Sequence, residues 1–188
     1  MSNTGTPPAD WAESALAFWF RELASADWFA KSDPVDATIR LRFLDLHERV
    51  AADLPDAAAH DPRVALAIVI LTDQMPRNMF RGTSRAFATD AIALAVAARA
   101  VDAGLDRGLG RDERLFLYVP FEHSESLADQ EHAVALITPL GNAEYTRYAI
   151  AHREIIARFG RFPHRNAVLG RATTAEEAAF LETPGSSF

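Results

Sequence analysis

The segment Asp61-Pro-Arg-Val-Ala-Leu-Ala-Ile-Val-Ile-Leu-Thr-Asp-Gln-Met-Pro76 decides the fold class. Val64 to Leu71 is apolar on every side and long enough for a buried β-strand. Two features turn the reading toward a helix. Asp61-Pro62 is an N-cap followed by proline at the first helical position, and the run continues into Thr72-Asp73-Gln74. The pattern predicts a central buried helix that ends near Met75, because Pro76 disfavours helical geometry in the residue before it.

The same logic extends outward from this segment. Asp10 with Glu13 reads as a capping-box start for a helix carrying Trp11, Ala15, Phe18 and Trp19. Asp33-Pro34 repeats the Asp-Pro signal before Val35, Ile39, Phe43, Leu46 and Val50, an amphipathic spacing. A further helix is expected from Thr89 or Asp90 to Ala103, stopping at Gly104. Asp112 is a candidate cap for Leu115 to Tyr118, residues that also suit a strand but have no evident partner strand nearby. Ser126 with Asp129 opens a helix that ends before Gly141. Asn142 or Ala143 begins a long one ending at Gly160. Thr174 with Glu177 is a capping box for a short last helix. The expected fold is therefore all-α, with about seven or eight helices stacked as antiparallel pairs. No long linker divides the 188 residues, so one all-helical domain is expected, with 1–9 and 184–188 frayed and Phe188 free to dock.

Composition narrows the chemistry. The chain has no cysteine, which excludes disulfides, thiolate catalysis and cysteine-ligated metal centres. A net charge of −7 argues against general nucleic-acid binding. The residues from Met1 to Asp10 lack a basic stretch followed by an apolar run, and the longest apolar runs are eight residues, against about 20 for a membrane span. A soluble, cytoplasmic protein is expected. Its basic residues are 18 arginines and one lysine, so some guanidinium groups are candidates for bidentate contacts.

Three stretches mix Arg, His, Asp, Asn and Gln with large apolar residues. They are Leu71-Thr-Asp-Gln-Met-Pro-Arg-Asn-Met-Phe-Arg-Gly-Thr-Ser-Arg-Ala-Phe-Ala-Thr-Asp90, Tyr118-Val-Pro-Phe-Glu-His-Ser-Glu-Ser-Leu-Ala-Asp-Gln-Glu131 and His152-Arg-Glu-Ile-Ile-Ala-Arg-Phe-Gly-Arg-Phe-Pro-His-Arg-Asn-Ala-Val-Leu-Gly-Arg171. Together with Phe18-Trp19-Phe20 they closely resemble the uncharacterised bacterial family called domain of unknown function 924, from about Phe18 to Phe180. The resemblance implies a tetratricopeptide-like, all-helical fold and brings no reaction, substrate or cofactor. Two positions depart from the family's pattern: Met75 stands where Phe is more usual, and Glu122 where an apolar residue is more usual.

These polar groups are expected to line a shared pocket for a small anionic or carboxylate-bearing ligand. Its candidate residues are Asp73, Arg77, Asn78, Arg81, His123, Gln130, His152, Arg153, His164 and Arg165, with Arg77, Arg153 and Arg165 as clamps. The competing reading makes the arginines fasteners that pair with Asp73, Asp90, Glu125, Asp129 and Glu131. A hydrolase-type enzyme is the first alternative, with His123 and Glu125 or Asp129 as a His–carboxylate pair. A protein-interaction scaffold is the second. Asp129-x-x-His132 is the one metal-like spacing, and without any Glu-x-x-His it supports no metal assignment. No cofactor is expected, since neither a Gly-x-Gly-x-x-Gly nor a Gly-x-x-x-x-Gly-Lys-Ser/Thr motif is present.

Overall fold

The computed structural model describes residues 10–186. The expectations for 1–9 and for Phe188 lie outside the described residues. Among the described residues there is no strand, and the helices are α1 (Trp11–Ala17), α2 (Asp33–Ala52), α3 (Pro62–Val69), α4 (Met75–Met79), α5 (Asp90–Asp102), α6 (Arg111–His123), α7 (Leu127–Ile137), α8 (Ala143–Phe159) and α9 (Ala175–Leu181). The fold is all-α. The strand-like residues Leu115 to Tyr118 are helical, inside α6. Pro184 to Ser186 form a turn, in which Ser186 N–H donates to Thr183 O and Ser186 Oγ to Leu181 O. The chain divides into two compact units, the first formed by residues up to 81 with 85–120, the second by 82–84 with 121 onward.

The first unit is built on α3 and its continuation. Asp61 caps α3 as its position requires, its carboxylate accepting the N–H groups of Arg63 (2.8 Å) and Val64 (3.2 Å). From Ala65 to Leu71 every residue is fully buried, and α3 packs against both α1 and α5. A helix apolar on all sides has nowhere else to be. The aromatic residues follow: Trp19 and Trp28 meet Phe116 edge to face at 5.5 and 5.0 Å.

The rod does not end at Met75. Residues Ile70–Gln74 form a π-turn in which Met75 N–H reaches back five residues to Ile70 O, and α4 then carries the helix through Pro76 to Met79. Proline has no N–H, so residue 76 serves neither the carbonyl four residues back nor the one five back. Those are Thr72 O and Leu71 O. Side chains take over both: Thr89 Oγ1 donates to Thr72 O at 2.5 Å, and His47 Nδ1 to Leu71 O at 2.8 Å. Arg77 Nη1 donates to the next carbonyl, Asp73 O, at 2.5 Å. The proline rule fails here because donors distant in sequence replace the missing one.

Other caps divide by range. Thr174 acts as read, exchanging bonds with Glu177, and Asn142, one of two residues read as the start of α8, caps it by accepting from Glu144 and Tyr145. Asp10 makes no side-chain cap bond, and Glu13 instead pairs with Arg63. The cap of α2 is Ser32 rather than Asp33. In the second unit α7 and α8 pack as consecutive neighbours. Gly160 closes α8 in the left-handed conformation at φ +66°, and Phe159 and Phe180 carry α9 onto the α8 core.

If side-chain donors hold the π-turn, replacing Thr89 by Val leaves Thr72 O without that donor and costs about 1–3 kcal/mol of stability. Urea denaturation measures this, and Thr89→Ser should restore most of the loss.

Candidate functional site

Two of the four candidate arginines, Arg77 and Arg81, are fastened to carboxylates. Arg77 forks onto both oxygens of Asp90 at 2.9 and 3.0 Å and lies 3.4 Å from the fully buried Asp73. Burial lowers the Arg77 pKa, and the charges of Asp73 and Asp90 outweigh that and raise it. Arg81 forks onto Asp36 at 2.8 and 2.9 Å, and Asn78 donates to the same carboxylate at 2.8 Å. Arg85 pairs with Glu48 instead. Arg77, Arg81 and Arg85, four apart in sequence, thus hold different partners and form no common clamp. Asp73 accepts from Gln74 at 2.6 Å. All of these belong to the first unit, so Asp73, Arg77, Asn78 and Arg81 stand on one compact body, and His123, Gln130, His152, Arg153, His164 and Arg165 on the other.

The second unit gathers its own polar group around one residue that sequence reasoning overlooked, the fully buried Phe162. Glu125 and Arg171 hold that residue by its peptide groups. Phe162 N–H donates to Glu125 Oε1 at 2.8 Å, and Arg171 Nη2 donates to Phe162 O at 3.0 Å. The two side chains are themselves joined by a fork of 2.7 and 3.0 Å. Burial pushes the Glu125 carboxyl up, but the Arg171 fork and the Phe162 N–H together hold it below its ordinary value. A second fork, Arg161 onto Glu177, draws Glu177 down to about 2 and ties the α8–α9 connection together.

Around the Phe162 ring lie Arg165, with its guanidinium 4.5 Å above the ring centroid, His152 at 5.7 Å and His164 at 5.5 Å. His123, the last residue of α6, sits 6.1 Å from His152. His152 and Arg165 are buried at 6% exposure each, whereas His123 and His164 are half-buried. His152 Nδ1 lies 2.9 Å from Tyr148 O. A carbonyl only accepts, so Nδ1 carries the hydrogen. Burial first, and then the positive charges of His123, Arg165 and His164, push the His152 pKa from 6.5 to about 3. The imidazole is therefore neutral at pH 7, and Nε2 is its lone-pair nitrogen.

Gln130 is fully buried, and its amide donates to Glu122 O at 2.6 Å and Ser124 O at 2.7 Å. It grips the backbone on both sides of His123. Ser124 Oγ donates to Asp129 at 2.6 Å and accepts Ser126 N–H. The carboxylates considered as partners of His123 are thus engaged, Glu125 by Arg171 and Asp129 by Ser124. Arg153 makes one loose ion pair, 3.7 Å from Glu154. Glu122 is 5% exposed, so its carboxylate is buried. No group of three His, Asp or Glu side chains is placed to hold a metal ion among the described residues, and His132 instead packs on Phe121. Two surface depressions on the first unit, one at Phe20, Trp28 and Glu113 and one along α2 at Leu41 and Leu44, include none of these site residues.

A family model described as "Bacterial protein of unknown function (DUF924)" matches residues 15–185. The chain belongs to this family. It is also similar to the solved structure of a protein of unknown function from Agrobacterium tumefaciens, at 40% identity and a TM-score of 0.88, covering 93% of this chain and 98% of that one. No curated protein matches. No helix among the described residues is long and apolar enough to cross a membrane. Membership in DUF924 carries the all-helical scaffold and leaves the chemistry to be read from the site.

The His152 environment has a measurable signature. Below pH 6.5 the unfolded chain takes up a proton at this imidazole that the folded chain refuses until about pH 3. Stability contributed by the neutral ring is complete above pH 6.5 and falls on acidification, by about 1.4 kcal/mol per pH unit for one unbalanced proton. Urea titrations at pH 6, 5 and 4 should show a shallower acid limb in His152→Phe than in the natural sequence. Parallel curves would refute the buried, neutral ring.

Proposed function

We propose that this DUF924 protein binds a small anionic, carboxylate-bearing molecule at the Arg165–His152–His123–His164 cluster of its second unit. The observation that carries the reading is the buried guanidinium of Arg165, which is 6% exposed and stands 4.5 Å above the Phe162 ring on which His152 and His164 also pack. In a poorly solvated site its attraction for an anion is stronger than in water. Glu125 gives its two oxygens to Arg171 and Phe162 N–H, with the Arg165 charge acting on it from farther off. His123 and His164, half-buried, give the cluster an edge toward the surface. Arg153, held only by its loose pair with Glu154, adds a positive charge one residue along α8 from His152. The setting we assign is a cytoplasmic bacterial protein with a tetratricopeptide-like helical stack as scaffold.

The reading is tested by titrating the protein with succinate and with inorganic phosphate while following the imidazole resonances of His123, His152 and His164 by NMR. Saturable shifts are expected for succinate, with the His152 resonances moving as its pKa rises. Arg165→Met should weaken binding at least tenfold, the scale of about 1.4 kcal/mol. Resonances that do not move, or binding unchanged in a folded Arg165→Met protein, would overturn the assignment.

A further inference from the structure

Helix α2 is apolar on two sides. Its inner stripe, Ile39, Phe43, Leu46 and Val50, is buried in the first unit. On the opposite side stand Pro34, Ala37, Leu41, Leu44, Glu48 and Ala51, spaced alternately by three and four residues. All but Glu48 are apolar, yet none is buried, and Leu41 is 87% exposed. A surface depression follows this stripe from Ala37 to Glu48. A single exposed leucine is ordinary on a protein surface. An apolar stripe repeating every 3.5 residues along most of a 20-residue helix is the seam of a coiled coil.

We propose that this stripe is a self-association surface, on which a second copy of the chain lays its own α2 parallel to the first. The charges beside the stripe set the orientation. Arg40 stands on one flank, and Asp45, five residues on, stands on the other. Parallel pairing brings opposite flanks together, so Arg40 of each copy faces Asp45 of the other. Antiparallel pairing would bring like flanks together, arginine toward arginine and aspartate toward aspartate. Both side chains are held at the rim from within their own chain. Arg40 Nε donates to Met79 O at 3.0 Å, and the exposed Asp45 carboxylate, 2.9 Å from Arg49, has room for a second donor. Leu41 and Leu44 then meet their own copies in successive layers. Glu48 is the one charged residue on the seam and also meets its copy, a repulsion that Arg85, 3.1 Å away on the same chain, lessens. A polar residue at one seam position costs affinity and fixes the register. The seam is one helix wide, so the pairing is reversible.

Sedimentation velocity of the full chain, from micromolar to millimolar protein, should show a reversible monomer–dimer equilibrium. Leu41→Glu, at an exposed position, should weaken the dimer about tenfold or more while leaving circular dichroism and melting unchanged. Glu48→Leu should strengthen it by about the same factor. The chain has no cysteine, so single-cysteine variants report the orientation without interference. Leu41→Cys and Leu44→Cys should each cross-link to themselves on mild oxidation, well above the level of Ala172→Cys, an exposed position in the second unit. A cross-link that forms only when the Leu41→Cys and Leu44→Cys proteins are mixed would overturn the parallel orientation. A dimer that survives Leu41→Glu undiminished would overturn the surface. A monomer at every concentration, in both the natural sequence and Glu48→Leu, would overturn the pairing itself.

Discussion

The carbonyls of the buried rod set the terms for the first unit. A segment that is apolar on every side must be surrounded, and once it is surrounded each of its peptide groups needs a partner within the protein. Proline at position 76 removes one donor from the ladder, and the π-turn beside it changes which carbonyls are left over. His47 from α2 and Thr89 from the start of α5 satisfy Leu71 O and Thr72 O. Both neighbours are thereby fixed to the rod by hydrogen bonds as well as by packing. Burial also lowers the pKa of His47, so the donor is a neutral ring at pH 7. The fork of Arg77 on Asp90 reinforces the same junction. Packing selects the helix, and polar groups select where its neighbours may sit.

The second unit solves a different problem by similar means. The loop after α8 has no helical ladder to hold it, so side chains grip its peptide groups directly. Glu125 and Arg171 bracket Phe162, and Arg161 closes the connection to α9 through Glu177 and Ala172 O. Charge-assisted forks of this kind demand planar, two-pronged geometry. The preponderance of arginine over lysine in the chain has a structural use in them. An arginine committed to a fork is unavailable to a ligand. Arg77, Arg81, Arg161 and Arg171 are therefore structural.

How much of this could be read beforehand depends on distance along the chain. Asp61 and Thr174 were legible as caps because each cap and its targets lie within three residues. Glu13 misled because Arg63, fifty residues away, recruits it. Pro76 misled for the same reason, since the rule for proline assumes no outside donor. Fastener and ligand clamp are both arginine in sequence. Only the location of Asp90, Asp36 or Glu125 separates them. His123, His152, His164 and Arg165 were picked out as polar residues in apolar company, and all four lie in the second unit. Phe162 gave no signal, because one phenylalanine among twelve is unremarked until the residues around it are known. Gln130 was noticed, but its targets, the carbonyls flanking His123, are backbone atoms that sequence does not display.

The π-turn has an evolutionary side as well. Its i→i+5 geometry accommodates one residue more than an uninterrupted α-helix needs across the same span. Deleting a single residue from Ile70–Gln74 would leave a perfectly acceptable helix in isolation. Within the protein it would turn everything upstream by about 100° relative to Met75–Met79, pulling Leu71 O away from His47 and Thr72 O away from Thr89. The local chain would tolerate such an indel, but the surrounding helices would not. A deletion here is therefore opposed by contacts that lie far from it in the gene.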